Sequence, residues 1–111
     1  MKLIRDRIPA IMAAAGQPCA YHLAGPGERA VLLRAKLLEE AGEAATATTP
    51  AALLDELGDV LQVLYALADA AGYGPAEVEH ARARKAATRG GFAAGAVWHG
   101  PTQPNGEVRQ P

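Results

Sequence analysis

The feature that most constrains this chain is an apolar helical stripe that contains carboxylates. At 100° per residue, five large apolar side chains between positions 53 and 67 fall within about 40° of one direction: Leu53, Leu57, Val60, Leu64 and Leu67. Glu56 falls within this stripe, and Asp59 lies at its edge. Because a carboxylate costs several kcal/mol to bury without a partner, the pattern predicts a helix whose acids face a cation.

The preceding segment carries a matching pair of acids. Glu40 projects about 20° from Leu33, and Glu43 follows three residues later on the same side. Glu39 points about 100° away from Glu40. Two facing helices would each bring an acid pair to one seam, which supplies the oxygen ligands that magnesium or manganese prefers.

Each acid pair encloses a glycine, Gly42 in the first and Gly58 in the second. A glycine inside a helix costs about 1 kcal/mol relative to alanine, so a close backbone approach at the seam is the expected reason for both. The alternative is an ordinary solvated acidic surface. The burial angle of Glu56 argues against that alternative.

Composition limits the partners of the chain. Of its 111 residues 26 are alanine, which leaves few large side chains for a core and predicts a homodimer or homotetramer. The net charge of −1 argues against a nucleic-acid polymer as partner. Cys19 is the single cysteine, and no segment has the length and apolarity of a membrane span or a secretory signal, so we expect a cytoplasmic protein.

Turn and cap signals predict an all-α fold with short extended segments near the termini. The expected helices cover residues 9 to 15, 28 to 46, 50 to about 71 with Thr49 as the N-cap, and 75 to just before Gly90. We expect one domain over residues 1–98, followed by a flexible tail over residues 99–111 that has no apolar periodicity.

Basic residues near the end of the last helix are candidates for phosphate binding. Arg82, Lys85 and Arg89 share one face, and a cationic face beside a metal site suits phosphate-anhydride chemistry. Compensation of the helix dipole is an equally good explanation for Arg82. The role of three further cations near the amino terminus stays open between phosphate binding and simple solvation: Lys2, Arg5 and Arg7.

Four motifs, in order, resemble those of a known family. The chain reads KLIRDRIP at residues 2–9, EEAGE at 39–43, ELGD at 56–59 and RGGF at 89–92. The two acidic motifs are similar to the EExxE and ExxD signature of the all-α nucleotide pyrophosphohydrolases. The outer two resemble the segments that open and close the small MazG-like, phosphoribosyl-ATP pyrophosphohydrolase-like proteins.

The resemblance implies hydrolysis of a nucleoside triphosphate at the α-β anhydride, giving monophosphate and pyrophosphate. It implies that four acids bind magnesium, namely Glu40, Glu43, Glu56 and Asp59. Glu39 would bind a further metal, or orient and deprotonate the attacking water. Lys85 and Arg89 match the positions expected to bind phosphates, and the helices would assemble into dimers or tetramers.

Two alternatives remain at this stage. One is phosphoribosyl-ATP pyrophosphohydrolase of histidine biosynthesis, although the KLIRDRIP opening favours a house-cleaning hydrolase of nucleoside triphosphates. The other is a non-enzymatic helical oligomer that binds metal for structure alone or serves as an interaction module. The sequence does not determine the preferred base and sugar, the number of metals or the residue that activates water.

Overall fold

The computed structural model describes residues 1–109 and contains four helices in that range. They are α1 (Ile8–Ala14), α2 (Pro26–Thr46), α3 (Pro50–Ala70) and α4 (Pro75–Arg89). The predicted all-α class is confirmed, and the helix ends differ from the predicted ones by at most two residues. None of these helices has the length and apolarity needed to cross a membrane.

Local chemistry explains where α3 begins and ends. The Thr49 hydroxyl accepts a hydrogen bond from the Ala52 amide at 3.1 Å, which satisfies one of the free N–H groups of the first turn. Pro50 occupies the first helical position, where its missing N–H costs nothing. Gly72 then adopts a φ of +91°, a left-handed conformation that ends the helical path at low steric cost.

Helices α2 and α3 pack against each other as a hairpin, joined by residues 47–49. The side chains buried most completely are Leu33 and Glu40 on α2 and Val63 on α3, each with 7% of its surface exposed. Two apolar residues, each still slightly exposed, therefore form the buried core of the part of the chain that the structure describes. A carboxylate is buried as deeply as either of them.

The apolar stripe of α3 faces α2 only along one edge. Val63 is buried and Val60 is half-buried, but Leu53, Leu57 and Leu64 are exposed. The helix is apolar over a wider arc than one neighbouring helix covers. Only part of the predicted stripe is therefore buried within the part of the chain that the structure describes.

The expected close approach at the two helix glycines is also absent from the described chain. A Cβ atom built on Gly42 or on Gly58 would meet no atom within 4 Å. Neither glycine is needed for packing between α2 and α3.

The chain divides into two compact units, Met1–Glu79 and the part from His80 onward, so α4 begins in the first unit and ends in the second. Near the carboxyl end, Thr102 and Val108 form an antiparallel bridge. The amide of Arg109 also donates to the Pro101 carbonyl at 2.7 Å. The predicted boundary at residue 98 stays a prediction, and residues 110 and 111 of the predicted tail lie outside the described range.

Candidate metal centre and adjoining cleft

Three carboxylates meet at the seam between α2 and α3. Glu40 and Glu43 lie three residues apart on α2, and Glu56 approaches from α3. One oxygen of each lies within 4.8 Å of the other two, so together they can hold a metal ion. The helical hairpin therefore brings together acids that are separated by up to 16 positions in the sequence.

Two oxygens of this group are buried without a hydrogen-bond partner. They are Oε2 of Glu40 and Oε2 of Glu56. An unpaired buried carboxylate oxygen costs far more free energy than a solvated one. The site has the donors for a hard divalent cation, and a bound cation would satisfy both oxygens.

Lys36 supplies the nearest positive charge to Glu40. Its Nζ lies 3.3 Å from Oε1 of Glu40 and 3.5 Å from Oε2 of Glu39, and 18% of its side chain is exposed. One ammonium group thus faces one oxygen of Glu40 while the other oxygen stays unpaired. Three clustered carboxylates outnumber this single lysine, which leaves negative charge at the seam.

Glu39 lies beside the cluster rather than in it. Its carboxylate accepts hydrogen bonds from Lys2 at 3.4 Å and from Lys36 at 3.5 Å. Desolvation acts to raise the pKa of Glu39, but the hydrogen bond from Lys2 and the charge of Lys36 outweigh it, so the pKa lies below its usual value. Glu39 is therefore fully ionised at neutral pH.

Asp59 also lies outside the three-carboxylate group. Its Oδ1 accepts a hydrogen bond from the Arg5 guanidinium at 2.6 Å, with 58% of the arginine side chain and 40% of the aspartate side chain exposed. This contact ties the amino-terminal segment to α3. The predicted fourth metal ligand is thus engaged by an arginine in this structure.

A cleft of about 710 Å³ opens beside Glu40 and Asp59, within the first unit. Its walls come from the amino-terminal segment, α1, α2 and α3. Apolar side chains such as Ile4, Ile8 and Val63 form part of the lining, and four cationic and four acidic side chains form much of the rest. The cleft therefore offers both apolar surface and charge next to the acids of the candidate metal centre.

The family model described as phosphoribosyl-ATP pyrophosphohydrolase matches residues 17–86, more than half of the chain. The chain belongs to this family. The matched region contains all five predicted site acids, whereas KLIRDRIP and RGGF lie outside it. No curated protein and no solved structure shows a significant match to the chain.

Membership of the phosphoribosyl-ATP pyrophosphohydrolase family confirms the predicted resemblance, and with it a MazG-like helical domain. The angular argument from the sequence also agrees with this structure at two positions. Glu40 is buried on the same side of α2 as Leu33, two turns earlier, and Glu56 is half-buried with one fully buried oxygen. The helical period was the signal that located both.

The predicted phosphate-binding residues of this family member lie on the carboxyl-terminal half of α4. Lys85 and Arg89 are both exposed and belong to the second unit. Their predicted role stays a prediction. Because Lys85 and Arg89 lie four residues apart on α4, their side chains share one face of this helix.

Two charge contacts at the site were not predicted from the sequence. Lys36 precedes Glu39 and Glu40 by three and four positions, so helix spacing was a usable signal for its role. The contact between Arg5 and Asp59 joins positions 54 residues apart. Since it depends on how the amino-terminal segment crosses α3, no local pattern predicted it.

Proposed function

We propose that the protein is a metal-dependent nucleotide pyrophosphohydrolase that cleaves the α-β anhydride of a nucleoside triphosphate to monophosphate and pyrophosphate. One observation carries the proposal: two buried carboxylate oxygens without partners, in a three-glutamate group at the α2 and α3 seam. Such a group is unfavourable by itself and suits a divalent cation. Membership of the phosphoribosyl-ATP pyrophosphohydrolase family supports the same reaction class.

Glu40, Glu43 and Glu56 would hold the ion, which we propose to be Mg²⁺, with Mn²⁺ as a substitute. Asp59 would join them as a fourth ligand after leaving Arg5. A bound divalent cation supplies charge neutralisation to the phosphates during transfer. Lys36 holds Oε1 of Glu40 and so orients the carboxylate whose other oxygen is unpaired.

Glu39 is the proposed residue that positions the attacking water. Its lowered pKa makes it a weak base, so this carboxylate is better suited to orienting a water molecule by accepting a hydrogen bond than to removing its proton. Lys85 and Arg89 are the proposed phosphate contacts from α4. The exposed position of both side chains supports that role, because a ligand can reach them.

A second candidate substrate is phosphoribosyl-ATP, which the description of the matching family model favours. The KLIRDRIP segment favours nucleoside triphosphates and lies outside the matched residues. Both substrates offer the same anhydride, so the residues around the seam do not discriminate between them. The choice rests on groups that contact the base and sugar.

The test is chromatography of the products formed from each canonical NTP and dNTP, several modified nucleotides and phosphoribosyl-ATP. Each reaction is run with magnesium and with EDTA. We expect pyrophosphate and the corresponding monophosphate, formed only with magnesium, from at least one nucleoside triphosphate. Hydrolysis of phosphoribosyl-ATP, with no hydrolysis of any nucleoside triphosphate, would instead establish the second candidate.

A matched pair of variants separates catalysis from a structural metal site. Glu56→Gln removes one charged ligand, whereas Asp55→Asn removes the charge of the exposed neighbouring acid on the same helix. We expect the first to lower kcat/KM at least about 100-fold while the protein stays folded, and the second to leave turnover unchanged. An inactive parent protein whose Glu56→Gln variant loses its metal-dependent stability would establish the non-enzymatic alternative.

A further inference from the structure

The amino-terminal segment places one cation on an acid of each long helix. Lys2 contacts Glu39 on α2 at 3.4 Å, and Arg5 contacts Asp59 on α3 at 2.6 Å. These contacts span 37 and 54 residues. The segment before α1 therefore crosses both helices next to the candidate metal centre.

The cleft beside this segment is balanced in charge. Its cationic lining residues are Arg5, Arg7, Arg29 and Lys36, and its acidic ones are Asp6, Glu40, Asp59 and Asp69. Four positive and four negative charges sum to zero. Because Arg5 and Lys36 are paired with Asp59 and Glu40, two of the cations neutralise acids that are proposed to bind metal.

A divalent ion and these cations compete for the same carboxylates. An ion bound to Glu40 and Asp59 would bring two positive charges to the cleft and leave the Arg5 guanidinium without its acid. The pair is open to such exchange, because more than half of the arginine side chain is exposed, and exposed ion pairs are weak. The freed group would lie at the cleft wall, which it already lines.

We propose that Arg5 is an exchangeable counter-ion. In the metal-free protein it neutralises Asp59, and when a divalent ion takes Asp59 it turns to bind a phosphate group of the substrate in the cleft. This inference rests on the proposed function. A guanidinium suits both partners, since it forms the same paired hydrogen bonds with carboxylate and with phosphate.

Removal of Arg5 should change the affinities for metal and for anion in opposite directions. Arg5 competes with the metal, so its removal strengthens metal binding, but it binds the anion, so its removal weakens anion binding. Metal and anion also favour each other, and the coupling between them is reciprocal. A residue that only stabilises the fold would not move the two affinities in opposite directions.

The experiment uses the full chain and titration calorimetry with Mn²⁺ alone, then with inorganic pyrophosphate added to the Mn²⁺-loaded protein. For Arg5→Ala we expect Mn²⁺ to bind about two- to fivefold more tightly. We expect pyrophosphate to bind at least about tenfold more weakly. Arg34→Ala is the matched control, since Arg34 is an exposed arginine of α2 that does not line the cleft, and both affinities should stay at the wild-type value.

Arg5→Gln and Arg5→Lys repeat the test with the side chain largely retained. The glutamine variant should show the same changes in Mn²⁺ and pyrophosphate affinity as the alanine variant. The lysine variant should keep most of the competition with the metal. Unchanged or weaker Mn²⁺ binding in the alanine and glutamine variants overturns the counter-ion role, and unchanged pyrophosphate binding overturns the phosphate role. The Arg5 variants could show the opposite shifts in Mn²⁺ and pyrophosphate affinity while the wild-type protein hydrolyses no nucleotide. That result would support the exchange and overturn the proposed function.

Discussion

Glu39 and Glu40 are neighbours in sequence but occupy different environments. Glu40 is buried, and one of its oxygens has no partner, whereas Glu39 accepts hydrogen bonds from two lysines. The 100° turn between successive helical residues separates them. One carboxylate therefore suits metal binding, and the other suits a role beside the metal.

The ion pairs of Glu39 predict a pH-dependent contribution to stability. Because the folded-state pKa lies below its usual value of 4.5, the contribution is complete above pH 4.5 and is lost as the pH falls through the lowered value. We expect Glu39→Gln to be less stable than wild type at neutral pH, and the difference to shrink in acid. Urea denaturation across this pH range, at fixed protein concentration, measures it.

Lys2→Ala, alone and combined with Glu39→Gln, is the control for this prediction. If the contact between Lys2 and Glu39 carries part of the effect, the changes that the two substitutions cause in the free energy of unfolding will not be additive at neutral pH. They will become more nearly additive in acid. A Glu39→Gln difference that stays constant, or grows, as the pH falls would contradict the prediction.

At the scale of the element, the beginning of α3 determines which way its acids point. Thr49 caps the helix at 3.1 Å, and Glu56 and Asp59 follow two to three turns later. Thr49→Ala removes the cap, and we expect it to lower the free energy of unfolding by about 1 kcal/mol. Denaturation in urea without metal provides the measurement.

Thr48→Ala is the matched control, because this exposed threonine precedes the cap and does not donate to or accept from the first turn of α3. The free energy of unfolding of the Thr48→Ala variant should stay within about 0.5 kcal/mol of the wild-type value. Equal destabilisation by both substitutions would show that the cap is not what holds the start of α3.

At the scale of the whole molecule, one apolar surface of α3 stays exposed within residues 1–109. Leu54, Leu57 and Leu61, here called the leucine stripe, fall within about 60° of one another and are 69%, 49% and 45% exposed. Because Leu33 and Val63 are the two large apolar side chains that the described chain buries, a second copy is the covering partner that we propose. The predicted homodimer or homotetramer would use this surface.

Leu61→Asp places a carboxylate in the leucine stripe. Since an unpaired charge is costly to bury, we expect the dissociation constant of the oligomer to rise at least about tenfold. Light scattering during size-exclusion chromatography over a range of concentrations measures the change.

Ala51→Asp adds the same charge at an exposed position of α3 outside the leucine stripe, about 90° from its centre, and its assembly should match that of wild type. A wild-type protein that is monomeric at every concentration would refute the predicted assembly. An oligomer unaffected by Leu61→Asp would place the interface elsewhere.

The sequence by itself determined the helices and the acids. Thr49, the prolines and the glycines act within a few residues, and the 3.6-residue period decides which acids share a face with Leu33 or Val63. The family motifs lie in the same local segments, so they too could be recognised without a fold.

The tertiary structure alone decided which charges meet. The pairing of Arg5 with Asp59 and the meeting of Glu56 with Glu40 depend on how distant segments cross. It also decided that only one edge of the α3 apolar arc packs on α2, which leaves the leucine stripe exposed. Periodicity gives the direction of a side chain around its own helix axis, but the neighbour that covers it is set by packing of the whole chain.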